Sequence, residues 1–213
     1  MTHARHILIG DVHGCLTELQ ALIHRLVPQP DDTFVFLGDL IDKGPESPGV
    51  VRWVRHFAEA HHVVLVEGNH EEKHRRWRHH MQKGSPTANT MTGIERMAAL
   101  TQALSAADIA FLDSARLYYP IPAYQVLAVH AGVPPTIESL PSDPREIAAY
   151  PRKRRDLYLY ANAADSFCLA RGQNPSSWRR NRRRSLLGNV LRWPLRHGVL
   201  RASGVYNPRP GGF

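Results

Sequence analysis

The sequence predicts an α/β fold, a sandwich of two mixed β-sheets flanked by helices. Short apolar runs alternate with amphipathic stretches, a pattern typical of βαβ units with parallel strand pairing. With 213 residues, 43% of them hydrophobic, the chain is long enough to bury a core. We predict one main domain over residues 1–165. Residues 166–213 are rich in Arg, Gly and Pro and lack apolar periodicity, so we predict an atypical, poorly ordered segment there.

The predicted elements follow one another closely along the main domain. Strands are expected at about residues 6–9, 34–37, 63–66, 117–121 and 124–130. Three- and four-residue spacing of apolar side chains predicts a first helix, whose inward face comprises Leu16, Leu19, Leu22, Ile23 and Leu26. A second helix is expected around Val50, Val51, Val54 and Phe57. Further helices are expected at 71–82, 93–104 and 106–112, with a loop at 83–92. Ser105 and Asp108 form the capping pair expected at the last of these helices.

Four apolar runs each end in a cluster of polar residues that are able to bind metals. The clusters are Gly-Asp-Val-His-Gly at 10–14, Gly-Asp-Leu-Ile-Asp-Lys-Gly at 38–44, Gly-Asn-His-Glu at 68–71 and His-Ala-Gly at 130–132. In open α/β sheets, ligands bind beyond the carboxyl ends of the strands. We therefore expect the four clusters to form a single site.

The side chains in these clusters combine carboxylate, imidazole and amide groups, without thiolates. Such mixed nitrogen and oxygen ligands favour Mn, Fe or Zn over Ca or Mg. Two such ions about 3.5–4 Å apart can activate a water molecule and neutralise a phosphate group. The glycines that flank the ligands allow sharp backbone turns.

The four motifs, in this order over about residues 6–135, resemble those of the calcineurin-like metallophosphoesterases. The closest likeness is to the phosphoprotein phosphatase branch, which includes bacterial symmetrical diadenosine tetraphosphatases. The resemblance implies two divalent metal ions (Mn, Fe or Zn, with Mn favoured in vitro) and hydrolysis by a metal-activated hydroxide. It implies an enzyme that hydrolyses phosphoester bonds.

The resemblance also assigns roles to individual residues. It implies that Asp11 and His13 bind the first metal, that Asp39 bridges both metals, and that Asn69 and His130 bind the second. It implies that His70 and Asp42 are catalytic. His70 would protonate the leaving oxygen, and Asp42 would orient the imidazole and stabilise its charged form. The residues implied in substrate binding are Lys43 and Asn69.

Two departures from the family pattern stand out. Lys43 occupies a position where the family usually has Arg, which keeps the charge but loses bidentate binding of phosphate. The family also supplies a further metal-binding histidine late in the chain, after an apolar strand. No such element is identifiable, because the only late histidine, His197, follows Leu195-Arg196 rather than an apolar strand.

The sequence alone leaves three functions open. We favour a phosphomonoesterase of the phosphoprotein phosphatase type that acts on a phosphorylated protein or small molecule. The alternatives are a dinucleoside polyphosphate hydrolase, and a degenerate phosphatase that binds metal weakly and serves as a binding module. The histidines outside the motifs, including His74, are interpreted as structural. The basic stretch of Lys73, Arg75, Arg76 and Arg78 either lines a substrate groove or forms a solvated helix face.

Charge and composition bear on partners and location. Nine of the 27 Lys and Arg residues lie in the last 35 residues, which leaves 18 against 19 acidic residues elsewhere. The net charge of +8 is therefore a property of the tail, and nucleic-acid binding through it is a minor alternative. No signal peptide or membrane-spanning run is recognised. Cys15 and Cys168 are expected to be free thiols, so we predict a cytoplasmic protein without membrane contact.

Overall fold

A computed structural model describes residues 5–124 and 126–131, together with three short strand segments at 190–192, 195–196 and 199–200. The chain forms two compact units, Met1–Arg116 and Leu117–Phe213. The predicted boundary between residues 165 and 166 lies outside the described residues, as does Cys168. Within the described part of the chain, Cys15 forms no disulfide.

The first unit contains a parallel three-stranded sheet with the order β1-β2-β3. The strands are β1 (His6–Ile9), β2 (Thr33–Phe36) and β3 (His62–Leu65). Ile7 aligns with Phe34, and Phe34 aligns with Val63. The central strand is buried on both faces, since Phe34 and Phe36 have no exposed surface, as expected for a parallel sheet covered by helices. The predicted parallel pairing is confirmed, although β2 and β3 begin one residue earlier than expected.

Five helices surround this sheet in the first unit. They are α1 (Leu16–Leu26), α2 (Ser47–Ala60), α3 (Asn69–Gln82), α4 (Ile94–Ala103) and α5 (Ala106–Asp113). The loop predicted at 83–92 contains a short 3-10 helix, Pro86–Thr90. The capping pair at α5 is confirmed, because Asp108 donates its backbone N–H to the Ser105 hydroxyl at 3.2 Å. No described helix is long and apolar enough to span a membrane.

The core of the first unit is built mainly from β2, α1 and α2. Val50, Val51 and Val54 on α2 are completely buried, as the apolar spacing predicts. The prediction for α1 is wrong at Leu22, which is 43% exposed. Leu22 lies at the edge of the apolar face, whose centre is formed by Leu19 and Ile23.

The second unit contains an antiparallel sheet with the order β4-β5-β6. Its strands are β4 (Tyr118–Ile121), β5 (Val126–Val129) and β6 (Val190–Arg192). The short 3-10 helix Pro122–Tyr124 follows β4 directly. A separate pair consists of β7 (Leu195–Arg196) and β8 (Val199–Leu200). The α/β class is therefore confirmed, and β6 to β8 lie in a part of the chain where the sequence predicts no elements.

A buried carboxylate ties the start of the first sheet to the end of α1. Asp32 accepts hydrogen bonds from Arg5 Nε at 2.8 Å and from the Gln29 backbone N–H at 2.7 Å. The hydrogen bond from Arg5 is the main reason that the pKa of Asp32 falls from 3.8 to about 2, against the opposing effect of burial. Because the folded pKa lies below the unfolded one, this carboxylate stabilises the fold above pH 4 and loses that effect as the pH falls towards 2.

Asp32→Asn should therefore flatten the acid limb of the stability curve. We expect the free energy of unfolding of the unmodified protein to fall more steeply between about pH 4 and pH 2 than that of the variant. Urea unfolding followed by circular dichroism at a series of pH values measures this difference. Asp31→Asn makes the same change at an exposed neighbour and should keep the steep limb. Equal slopes for all three proteins would contradict the assignment.

Candidate metal and catalytic site

Three loops of the first unit carry the predicted site residues, and each loop follows a parallel strand. Asp11 and His13 follow β1, Asp39 follows β2, and His70 lies in the first turn of α3, just after β3. Ligand atoms of His13, Asp39 and His70 all lie within 4.8 Å of one another. The expectation that these residues gather at the carboxyl ends of the strands is met.

The separations between the side chains suit residues that share a metal ion. His13 Nε2 lies 3.6 Å from Asp11 Oδ2 and 3.5 Å from Asp39 Oδ2. These distances are at or beyond the upper limit of a hydrogen bond. Two ligand atoms that each lie about 2.0–2.2 Å from one ion are separated by roughly 3–3.5 Å. The spacing therefore fits a bound cation better than direct pairing.

His13 is held in the tautomer that a metal ligand needs. Its Nδ1 lies 2.9 Å from the carbonyl oxygen of Ile41, and a carbonyl only accepts, so Nδ1 carries the proton. Nε2 consequently presents its lone pair, the arrangement common among metal-binding histidines. Lys43 Nζ lies 2.6 Å from this Nε2 and donates to it. The lysine predicted to bind substrate is thus beside a predicted metal ligand.

The loop after β2 has an unusual backbone that brings its side chains into the site. Asp39, Asp42 and Lys43 have φ angles of 52°, 68° and 64°, in the left-handed region that costs residues other than glycine about 1–3 kcal/mol each. Gly38 precedes them with φ +90°, and a Cβ at Gly38 would lie 2.4 Å from the Gly68 nitrogen. The loops after β2 and β3 are therefore in direct contact at a pair of glycines.

Glu71 holds these two loops together. Its buried carboxylate accepts the backbone N–H of Asp39 at 2.8 Å, of Leu40 at 2.8 Å and of Gly68 at 3.1 Å. Burial raises the pKa of Glu71 and the negative charge of Asp39 raises it further, whereas the backbone donors oppose the rise. Sequence reasoning gave Glu71 no role. Its position three residues after Gly68 is nevertheless the spacing at which a helix residue reaches back to the preceding backbone N–H.

His70 and Asp42 are in direct contact, as their predicted roles require. His70 Nδ1 lies 2.6 Å from Asp42 Oδ2. This hydrogen bond raises the pKa of His70, and the nearby carboxylates of Asp39 and Asp42 also raise it, while burial and Lys43 act in the opposite direction. Burial raises the pKa of Asp42, but hydrogen bonds from His70 and His74 outweigh burial and hold it well below its ordinary value. The pair therefore favours a charged imidazole beside an ionised carboxylate.

His74, which sequence reasoning interpreted as structural, also contacts Asp42. Its Nε2 lies 3.1 Å from Asp42 Oδ1, and the side chain is 1% exposed. The signal was its spacing, since residues four apart on a helix share a face and His74 comes four residues after His70.

The two other predicted metal ligands, Asn69 and His130, lie in different units of the chain. Asn69 is the first residue of α3, next to His70. His130 directly follows β5 in the second unit. The assignment of both residues to a second metal ion stays a prediction.

The basic face of α3 is largely neutralised by internal ion pairs. Arg75 pairs with Glu67 at 2.8 Å and Arg76 pairs with Glu72 at 3.0 Å, while Arg78 pairs with Asp113. Three of the four basic residues considered for a substrate groove are therefore engaged with acids of the same unit, which weakens that alternative.

Comparison with known proteins identifies the family. The sequence profile of the calcineurin-like phosphoesterases matches residues 4–146, and the chain belongs to this family. The resemblance indicated by the four motifs is thereby confirmed.

Individual relatives match part of the chain. The chain is 34% identical over 172 residues to the asymmetrical bis(5'-nucleosyl)-tetraphosphatase PrpE of Bacillus velezensis. The aligned region covers 73% of this chain and 64% of that protein. It is 32% identical over 135 residues to the symmetrical bis(5'-nucleosyl)-tetraphosphatase of Shewanella oneidensis, covering 61% of this chain and 45% of that protein. The structure of a metallophosphoesterase from Sphaerobacter thermophilus has a TM-score of 0.42 and 22% identity, covering 60% of this chain and 46% of that one. The chain thus spans less than two thirds of the length of each.

Glu71→Gln should destabilise the protein because an amide offers only one acceptor oxygen. Its NH2 group would face backbone N–H donors that now have a carboxylate oxygen as their partner, and a buried donor without an acceptor costs about 1–3 kcal/mol. We expect the free energy of unfolding, measured by chemical denaturation, to fall by about that amount. Glu95→Gln makes the same chemical change at an exposed position and should have little effect. Equal stability of the two variants would show that Glu71 does not hold the loops.

Proposed function

We propose that this chain is a metal-dependent hydrolase of dinucleoside polyphosphates. The observation that carries the proposal is the cluster of Asp11, His13 and Asp39, in which His13 Nε2 lies 3.6 and 3.5 Å from the two carboxylates, beside the 2.6 Å contact of His70 with Asp42. The geometry supports phosphoester chemistry in general. The choice of substrate is supported by relatives named bis(5'-nucleosyl)-tetraphosphatases.

Two divalent ions, with Mn favoured in vitro, complete the proposal. Asp11, His13 and Asp39 would hold one ion, and Asp39 with Asn69 and His130 would hold the other. When bound, such ions activate water and neutralise phosphate charge.

His70 would serve as the general acid. Its Nδ1–H is held by Asp42 at 2.6 Å, so its Nε2 is the nitrogen that can donate a proton to the leaving oxygen. The hydrogen bond to Asp42 raises the pKa of His70 and so favours the protonated ring, which the donating step requires. After the leaving group departs, the ring is neutral and regains its proton from water. Lys43 would add positive charge near the phosphate as a single point charge.

A phosphomonoesterase of the phosphoprotein phosphatase type is the second candidate. The Gly-Asp-Leu-Ile-Asp and Gly-Asn-His-Glu motifs, which resemble those of the phosphoprotein phosphatases, support it. Both candidates need the same metal-binding and acid residues, so the substrate decides between them.

Turnover with added Mn should separate the candidates. We expect kcat/KM for diadenosine tetraphosphate to exceed that for an aryl phosphate by roughly tenfold, which corresponds to about 1.4 kcal/mol of transition-state binding. The opposite order would favour the phosphomonoesterase. No turnover of either substrate, with less than one metal ion bound per chain, would favour the binding module.

Asp39→Asn should abolish metal binding and turnover, whereas Asp31→Asn, at an exposed position, should preserve both.

His70→Ala should slow hydrolysis to an extent that depends on the leaving group. A general acid contributes about 10²–10⁴ in rate, and the contribution is largest when the departing oxygen is strongly basic. We therefore expect a greater loss of kcat with an alkyl phosphate than with an aryl phosphate. Steady-state kinetics of both substrates measures this ratio, and His80→Ala on the last turn of α3 is the control. An equal loss with both substrates would remove His70 from the acid role.

A further inference from the structure

We propose that His74 is a positioning residue for hydrolysis, which acts by holding the Asp42 carboxylate in the orientation that Asp42 needs to orient His70. The inference rests on the proposed function, because it concerns the same acid. It adds a buried histidine to the site that the motif pattern does not include.

The contact geometry places Asp42 between two imidazoles of the same helix. Asp42 Oδ2 lies 2.6 Å from His70 Nδ1, and Asp42 Oδ1 lies 3.1 Å from His74 Nε2. An ionised carboxylate only accepts hydrogen bonds, so both ring nitrogens donate to it. Because each oxygen has its own donor, rotation of the carboxylate about its last side-chain bond would break both hydrogen bonds.

Asp42 needs such support because of where it lies. It belongs to a loop, its φ is 68°, and its backbone N–H donates to the Ser47 hydroxyl at 2.9 Å. That bond fixes the backbone, but the last torsion of an aspartate is intrinsically broad. The hydrogen bond from His74 supplies the missing restraint from a helix, which is more rigid than a loop.

The burial of His74 supports a polar role over simple filling of space. The His74 side chain is only 1% exposed. An apolar residue could fill this buried position without needing a hydrogen-bond partner, whereas the imidazole needs one. Replacing His74 by an apolar residue would leave Asp42 Oδ1 buried without this donor, which is costly for a charged group. The carboxylate would then turn towards other donors and weaken its hold on His70.

Two substitutions of similar polarity separate positioning from packing. The amide nitrogen of Gln reaches about as far as Nε2 of His, whereas that of Asn stops short. We expect His74→Gln to keep kcat within about threefold, and His74→Asn and His74→Leu to lower it by about 10–100-fold, the range typical of residues that orient a functional histidine. KM should remain unchanged. Trp77→Phe is the control, because Trp77 is buried on the same helix and its Nε1 has no hydrogen-bond partner among the described residues.

A double substitution tests whether His74 acts through Asp42. In an Asp42→Ala background, His74→Leu should cause no further loss of kcat, because the residue through which it acts has gone. An additive loss would overturn the proposal. Loss of activity in His74→Gln as large as in His74→Leu would also overturn it.

A measurement that does not need turnover keeps the two proposals distinguishable. The hydrogen-bonded Nδ1 proton of His70 should give a downfield proton NMR signal in the unmodified protein. The signal should persist in His74→Gln and Trp77→Phe and be weakened or shifted upfield in His74→Asn and His74→Leu. If the unmodified protein shows no turnover, the proposed function fails while this signal still decides the role of His74. An unchanged signal in all folded variants would contradict the positioning role.

Discussion

The hydrogen bonds from the backbone N–H groups of Asp39, Leu40 and Gly68 to Glu71 are the constraint on which the site depends. They connect the loop after β2 to the loop after β3, at the point where Gly38 and Gly68 meet without side chains. The left-handed backbone at Asp39 is unfavourable in isolation, and these bonds offset its cost. The backbone position of Asp39 is therefore held by Glu71, which is not itself one of the candidate metal ligands.

Helix α3 extends this constraint from the backbone to the side chains of the proposed general acid. Its first turn carries His70 and Glu71, and its second turn carries His74. One rigid element thus supports the loop after β2 through Glu71, and contacts the Asp42 carboxylate through His70 and His74. Because these residues share a helix, a shift of α3 would move the loop support and the acid pair together.

The sequence predicted β1 to β5 and most helix positions, but not β6 to β8. It also predicted the convergence of Asp11, His13, Asp39 and His70, because strand ends of a parallel sheet meet at one edge. It did not reveal the supporting contacts. Glu71 and His74 lie within a strongly charged helix, and polarity alone does not separate residues that face inward from those in solvent. Their partners are backbone groups and side chains about 30 residues away, which are visible only once the loop after β2 has its shape. The role of the basic residues of α3 was ambiguous in the same way, because their acidic partners are recognised only in the folded structure.

Asp39 and Asp42 are similar residues that differ in the distance from their carboxylate oxygens to neighbouring imidazole nitrogens. Both are buried, both have positive φ, and they lie on the same loop. Asp42 has imidazole nitrogens at 2.6 and 3.1 Å, so hydrogen bonds stabilise its charge, as its proposed orienting role requires. Asp39 Oδ2 lies 3.5 Å from His13 Nε2, which is long for a strong hydrogen bond. Such spacing suits two ligands of one cation, which supports the proposed division between Asp39 as a metal ligand and Asp42 as an orienting residue.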